Sequence, residues 1–289
     1  MKNSSFMLDL SIGRKLRNRC ALIFISLMSV IAIVPLFFVF FHVVKSGLPA
    51  LSRDFFTALP APVGQPGGGM ANSLLGSLIL VVFASLLGIP IGVFGGVFLS
   101  EYGTGKIAYI MRFAVDLLTS VPSIVVGLYI YSVIVVPMKT FSAYAGGLAL
   151  AVLLFPFVVK NTEEILRLIP QHIREAGLAL GIPRWKVILS IVLKGSIPSV
   201  TTGVMLGIAR IAGETAPLLF TAFGNRFWPQ GLNEPMPSLP VQIYSYAISP
   251  FEEWHHQAWA GAFLLMTMVF LFNLVARILL FRNKSGQTS

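Results

Sequence analysis

Residues 74 to 99 form the stretch LLGSLILVVFASLLGIPIGVFGGVFL, which contains no Asp, Glu, Lys or Arg. The apolar layer of a bilayer is about 30 Å thick, and a helix needs about 20 apolar residues to cross it. The stretch therefore predicts a membrane-spanning helix. Five other stretches of comparable length support the same prediction, although one of them contains Arg210 and Glu214. The six predicted spans are residues 20–44, 74–99, 113–138, 141–161, 196–223 and 254–277.

The composition of the whole chain is also that of an integral membrane protein. Of its 289 residues, 56% are hydrophobic and only 11% are charged, whereas about a quarter of the residues in a soluble domain are charged. The single cysteine excludes an internal disulfide, and the His residues have no metal-ligand spacing. We therefore expect an all-α integral membrane protein with one transmembrane domain over residues 1–289 and no metal site.

The distribution of Lys and Arg predicts the orientation of this domain. Six spans place both termini on the same side of the membrane. If that side is the cytoplasm, cytoplasmic segments hold 16 of the 21 Lys and Arg residues, and outer loops hold only four. Cytoplasmic segments are normally enriched in these residues, so we predict that both termini are cytoplasmic. The net charge of +10 then reflects topology and contact with membrane lipid rather than nucleic acid.

The longest predicted cytoplasmic connection covers residues 162–195. Residues 171–180, QHIREAGLAL, predict a short helix that Gly181 ends, and Pro183 precedes a second helix over 184–193. Helix propensity alone allows two interpretations of this helix–turn–helix. It is either a docking element or an amphipathic connector at the membrane surface.

Two charged residues lie within the predicted span 196–223. Arg210 is about 14 residues from the start of the span, or about 20 Å along a helix, and is too deep to reach the interface easily. Arg210 and Glu214 share a helix face with Gly203 and Gly207, a G-x-x-x-G pair that permits close helix contact. Because a charge at the centre of a bilayer costs about 2.5 to 3.5 kcal/mol, a role in a transport path is favoured. The alternative is a structural ion pair.

A second polar stripe is predicted in span 113–138. With 100° per residue, Asp116, Ser120 and Ser123 fall on one face of a continuous helix. The stripe either lines the same path or serves ordinary helix packing.

The cytoplasmic connection resembles the EAA loop of bacterial ABC importer permeases. The motif consists of Glu175-Ala176-Gly177, Gly181 after three residues, and Ile191-Val192-Leu193 after nine more. Gly177 replaces the second Ala of the family motif, and Lys194 stands where the consensus has Pro. In that family the loop forms a coupling helix that docks on the ATPase subunit. The resemblance implies a coupling role for Arg174, Glu175, Ala176, Gly177 and Gly181.

Further segments are similar to the PstA-type permeases of phosphate ABC importers. They are RIAGETAPLL at 210–219, NRFW at 225–228, EYG at 101–103 and SVPSIVVG at 120–127. The resemblance implies a MetI-like permease fold in a bacterial inner membrane. With phosphate as the substrate, we expect its path to be lined by Arg210, Gly213, Glu214, Thr215, Ser120, Ser123 and Asp116.

The same resemblance implies a set of partner proteins. These are a second, PstC-type permease, a dimer of PstB-type ATPases, and an extracytoplasmic PstS-type phosphate-binding protein. ATP and Mg would bind to the ATPase, so we expect no cofactor and no catalysis in this chain. The main alternative is a permease for another oxyanion or small solute. An ATP-independent carrier would need coupling-ion sites or an inverted repeat, and the sequence indicates neither.

Overall fold

The computed structural model describes residues 12–62, 65 and 67–285. Lys2, one of the cations in the orientation argument, lies outside the described residues. The helices, in chain order, are α1 (Ile12–Gly47), α2 (Arg53–Thr57), α3 (Ala71–Glu101), α4 (Gly105–Ser120), α5 (Ser123–Met138), α6 (Ala143–Arg167), α7 (Gln171–Ala179), α8 (Arg184–Ala212), α9 (Ala216–Thr221), α10 (Leu239–Ala247) and α11 (Glu252–Ser285).

Within the described residues, five helices are long and apolar enough to cross a membrane: α1, α3, α6, α8 and α11. The pair α4 and α5 makes a sixth span if it is counted as one, but its two halves are bent by 102°. The prediction of one continuous helix over 113–138 is therefore wrong. The cause is Pro122, because a proline disfavours the helical conformation of the residue before it. Val121 is extended, with φ −67° and ψ 131°.

The predicted span 196–223 also has different bounds. It starts earlier, at Arg184, and the helix ends at Ala212 before a separate short helix, α9. Pro217 accounts for the interruption, since its ring would clash with the carbonyl of Gly213 in a continuous helix. The preceding span, α6, continues to Arg167. The connection between the two spans is thus residues 168–183, shorter than the predicted 162–195.

The centre of the fold is the contact between α3 and α6, which run in the same direction. Gly88, Gly92 and Gly96 of α3 lie at four-residue intervals against α6. A Cβ atom on them would lie 3.1 Å from Leu154, 2.6 Å from Val158 and 2.5 Å from Thr162, respectively. The missing side chains let the two backbones approach closely, as small residues do in membrane helix pairs.

Helix α8 packs on another side of α6 in the opposite direction. A Cβ at Gly203 would overlap Asn161, and a Cβ at Gly207 would lie 2.8 Å from Leu154 and 3.0 Å from Phe157. The G-x-x-x-G pair is therefore a close helix contact.

The two ends of the helix bundle carry different elements. One end holds α7 together with the last turns of α3 and α6, and we call it the α7 end. The opposite end holds α2, α10 and the loops that flank them, and we call it the α10 end. At the α10 end, α10 packs on the start of α11 through Tyr246 and Trp254, whose stacked rings are 4.5 Å apart.

Candidate functional site

Arg210 lies near half depth in the bundle. Along the antiparallel contact of α6 and α8, Gly203 meets Asn161 and Gly207 meets Leu154. Three residues further along α8, Arg210 is level with about residue 152 of α6 at 1.5 Å per residue. This is close to the middle of α6, which covers Ala143–Arg167.

The Arg210 side chain is adjacent to Glu214 but is only loosely paired with it. Their Nε and Oε1 atoms are 3.9 Å apart, and the side chains are 48% and 19% exposed in this chain. The two residues do not belong to one helix, because α8 ends at Ala212. The amides of Gly213 and Glu214 close the last turn by donating to the carbonyls of Arg210 and Ile211. Arg210 therefore keeps donor capacity for another group.

The interruption after α8 is aligned with the bend between α4 and α5. A Cβ at Gly127 would lie 2.6 Å from Pro217 Cα, so α5 and α9 pack closely. Both helices run towards the α10 end, where the amide of Ser142 donates to the carbonyl of Thr221. Ser123 precedes Gly127 by four residues, and Gly213 precedes Pro217 by four residues. The two stretches of non-helical backbone consequently lie at a similar depth.

The predicted stripe of Asp116, Ser120 and Ser123 is not a single helix face, because the bend at Pro122 separates Ser123 from the others. The hydroxyl of Ser120 donates to the carbonyl of Asp116 at 2.8 Å. Ser120 is exposed in this chain, and Ser123 is half-buried at the start of α5. Ser123 is thus grouped with the α5–α9 contact rather than with Asp116.

Asp116 instead pairs with Lys160, which lies near the end of the predicted span 141–161. The Lys160 Nζ and Asp116 Oδ1 atoms are 2.9 Å apart, and both side chains are at least half exposed. Lys160 lies inside α6, seven residues before its end. A lysine at the end of an apolar stretch, 44 residues from its partner, gives no local signal of this pairing.

The short helix α7 and the turn after it lie where the sequence predicted. Gly177 is buried, and a Cβ there would lie 2.9 Å from Val187, so the glycine lets α7 pack on the start of α8. Gly181 has φ +77°, in the left-handed region that glycine adopts readily. It reverses the chain between α7 and α8.

The opposite face of α7 is exposed. Glu175 and Ala179 lie about 160° from Gly177 around the helix, and Ala176 is exposed beside them. Leu180, just after the helix, is 79% exposed. We call these four residues, Glu175, Ala176, Ala179 and Leu180, the coupling surface. It is an apolar patch with one carboxylate.

Arg174, in contrast, lies against the chain itself. Its guanidinium donates to both carboxylate oxygens of Glu101, with distances of 2.5 to 3.1 Å. This hydrogen bonding raises the pKa of Arg174 above its ordinary value, although burial acts in the opposite direction. The Arg174 guanidinium therefore stays charged at any physiological pH.

A second ion-pair group lies beside it at the α7 end. Glu163 of α6 is contacted by Arg112 at 2.7 Å and by Arg167 at 2.6 Å. Arg112 also donates to the carbonyls of Leu99 and Gly103. Together the two groups tie the end of α3 to α4, α6 and α7. Sequence reasoning missed both, since Arg174 and Glu101 are 73 residues apart and Arg112 and Glu163 are 51 residues apart.

Known proteins are similar to this chain in sequence. The sequence model of one family, described as the inner membrane component of binding-protein-dependent transport systems, matches residues 88–285. The phosphate transport system permease protein PstA of Yersinia pestis is 43% identical over 272 residues, covering 94% of this chain and 92% of that protein. PstA of Haemophilus influenzae is 45% identical over 273 residues, covering 94% and 96%. The chain belongs to the PstA family of permeases. The resemblance seen in its motifs is confirmed.

A solved structure shows the same fold as this PstA-family permease. A chain from the inward-facing MetNI methionine ABC transporter superposes with a TM-score of 0.57 over 73% of this chain and 93% of that chain. At 19% sequence identity, the likeness concerns the fold alone. The predicted all-α, MetI-like permease fold is confirmed. A PstA-family permease is a multi-pass membrane component of an ABC transporter with ATPase and permease partners, and not itself an enzyme.

Proposed function

We propose that this permease subunit forms part of the phosphate path of an ATP-driven importer in a bacterial inner membrane. The observation that carries the proposal is the position of Arg210. It is a partly exposed guanidinium at half depth, beside two aligned interruptions in the membrane helices. Non-helical backbone at membrane depth is tolerated where it lines a water-filled cavity or is buried in protein. A cation in such a place suits the passage of an anion.

Arg210 is the group that contacts phosphate in this proposal. A guanidinium presents planar, paired donors that match the oxygens of phosphate. Glu214, with its carboxylate 3.9 Å from Arg210, neutralises the cation between turnovers and weakens phosphate binding enough for release. Gly213 and Thr215 supply the open backbone beside them.

The second interruption provides the other polar groups of the path. Ser123 lies at the depth of Gly213, and Ser120 is exposed on the other side of the bend. Asp116 and its partner Lys160 are placed further towards the α7 end in this proposal, at the cytoplasmic mouth. Lys160 then offers phosphate a second cation on its way out.

Coupling to ATP is assigned to the α7 end, which faces the cytoplasm in the predicted orientation with both termini inside. The coupling surface docks on a PstB-type ATPase dimer, which binds ATP and Mg. Its exposed apolar residues suit a protein contact, since exposed apolar patches commonly mark interaction sites. A PstC-type permease completes the membrane part, and a PstS-type binding protein delivers phosphate at the α10 end.

The docking assignment predicts that Ala179→Glu reduces ATPase attachment. A carboxylate placed in an apolar contact would be desolvated without a partner. We expect at least about a tenfold loss of co-purified ATPase, or about 1.4 kcal/mol in binding free energy. The matched control is Thr104→Glu, which adds the same charge at an exposed site at the α7 end. Equal retention of ATPase by both variants would contradict the assignment.

The transport assignment is tested by uptake of labelled phosphate at low concentration, with labelled sulfate as the comparison. Cells that lack this chain are compared with cells in which it is restored. Loss and rescue of phosphate uptake alone is the expected result. If the restored chain instead rescued uptake of sulfate or another oxyanion, the permease assignment would stand, and that oxyanion would be the substrate.

A further inference from the structure

Glu101 is the last residue of α3 and carries one of the most buried charges in the described part of the chain. Its side chain is 4% exposed, and that of its partner Arg174 is 19% exposed. All three contacts between them are within hydrogen-bonding distance, at 2.9 and 3.1 Å from Nε and 2.5 Å from Nη2. Arg174 belongs to α7, so the pair joins the coupling helix to a helix that crosses the whole membrane.

The remaining donors of Arg174 bind a second membrane helix. Nη1 donates to the carbonyl of Ile169 at 2.7 Å, and Nη2 donates to the carbonyl of Leu166 at 2.9 Å. Leu166 lies in the last turn of α6, and Ile169 follows the end of that helix by two residues. From the other side, Arg184 at the start of α8 donates to the backbone carbonyl of Glu101 and lies over the ring of Tyr102. One arginine of the coupling helix is therefore bonded to the ends of both α3 and α6.

These contacts continue to the proposed phosphate path through close packing. Gly92 and Gly96 bring α3 against α6, and Gly203 and Gly207 bring α8 against α6. Arg210 lies in the last turn of α8. A displacement of α3 and α6 would consequently move the helix that carries the path residue.

Stability alone gives a weak reason for such a pair. A buried ion pair is often no more stabilising than apolar residues of similar volume, because both charges must be desolvated. What a buried pair with several hydrogen bonds does provide is a fixed relative orientation. Here the orientation that is fixed is that of the coupling helix against the ends of α3 and α6.

We propose that Glu101 and Arg174 are positioning residues that make α7 move as one body with the inner ends of α3 and α6. Closure of the ATPase dimer then reaches the path through these two helices as well as through the chain connection to α8. The inference rests on the proposed coupling to an ATPase. It does not depend on phosphate being the substrate.

The movement is tested by measuring the distance between two spin labels in the complete importer. Cys20, the single cysteine, is replaced by Ser, and labels are attached through Gln171→Cys on α7 and Thr104→Cys beyond α3. Both positions are exposed. With Arg174 present, we expect the same distance before and after binding of a non-hydrolysable ATP analogue. With Arg174→Gln, we expect the distance to change on analogue binding.

A second readout separates positioning from simple structural support. Importers reconstituted in vesicles are assayed for phosphate accumulated per ATP hydrolysed. Arg174→Gln and Glu101→Gln should each lower this ratio at least about fivefold, the lower end of typical coupling effects. The double variant should be no worse than either single variant, because both remove the same link. Glu101→Asp, which retains the charge, replaces any variant that fails to assemble.

The matched control is Arg167→Gln. Arg167 is 54% exposed at the same end of the bundle, and Glu163 retains Arg112 when it is lost. This variant should keep the fixed distance and the wild-type ratio. A distance that shifts on ATP binding with Arg174 present would overturn the inference, as would an unchanged ratio in both Gln variants. If wild-type vesicles hydrolyse ATP but accumulate no phosphate, the substrate assignment fails, and the distance measurement still decides the inference.

Discussion

Arg210→Gln is expected to abolish most phosphate uptake while the importer still assembles. Glutamine removes the charge and the paired donors but keeps a polar side chain of similar reach. A hydrogen bond to a charged group contributes about 1.5 to 3 kcal/mol, and 1.4 kcal/mol corresponds to a factor of ten. Uptake should therefore fall at least about tenfold. Labelled phosphate uptake is measured in cells with matched amounts of membrane-inserted complex.

Two comparison variants make this experiment specific. Arg210→Lys keeps the charge but loses the planar pair of donors, so its uptake should lie between those of wild type and Arg210→Gln. Lys139→Asn removes one positive charge from an exposed residue at the α10 end. Lys139 has φ +56°, which Asn tolerates, and this variant should transport normally. A wild-type uptake rate in Arg210→Gln would remove Arg210 from the path.

The sequence predicted the membrane helices because the hydropathy of a span is averaged over many residues. The stretch 74–99 lies entirely within α3. The same averaging hides local interruptions, which depend on single residues. Pro122 bends the third span, and Pro217 stops the fifth, although both stand in apolar sequence. The prolines alone would not have located these two breaks, because Pro90, Pro156 and Pro198 lie inside continuous helices.

The candidate site was only partly predictable for a related reason. Arg210 stands out because it is a charge within an apolar stretch, and the glycine row at 88, 92 and 96 is visible as a four-residue repeat. Lys160 with Asp116, and Arg174 with Glu101, are 44 and 73 residues apart. Such pairs form only when packing brings distant helices together. No periodicity in one segment encodes them.

Gly92→Leu is expected to disrupt the contact between α3 and α6 at the centre of the fold. A Cβ at this position would lie 2.6 Å from Val158 Cβ and 3.1 Å from the carbonyl oxygen of Phe155. Backbone and a β-branched side chain cannot move aside without separating the helices. We expect the free energy of unfolding to fall by at least about 3 kcal/mol, the upper end of typical overpacking costs. Denaturant titration of the purified chain in detergent measures this change.

Gly195→Leu is the matched control, because it isolates packing from the intrinsic effect of removing a helical glycine. Gly195 lies in α8 with no atom within 4 Å of a Cβ built there. Leucine favours a helix over glycine by somewhat under 1 kcal/mol, so this variant should be as stable as wild type or slightly more so. If the free energy of unfolding falls for Gly92→Leu but is unchanged or rises for Gly195→Leu, the loss at Gly92 is due to the close α3–α6 contact. Equal losses would instead mean that the contact is not what requires glycine there.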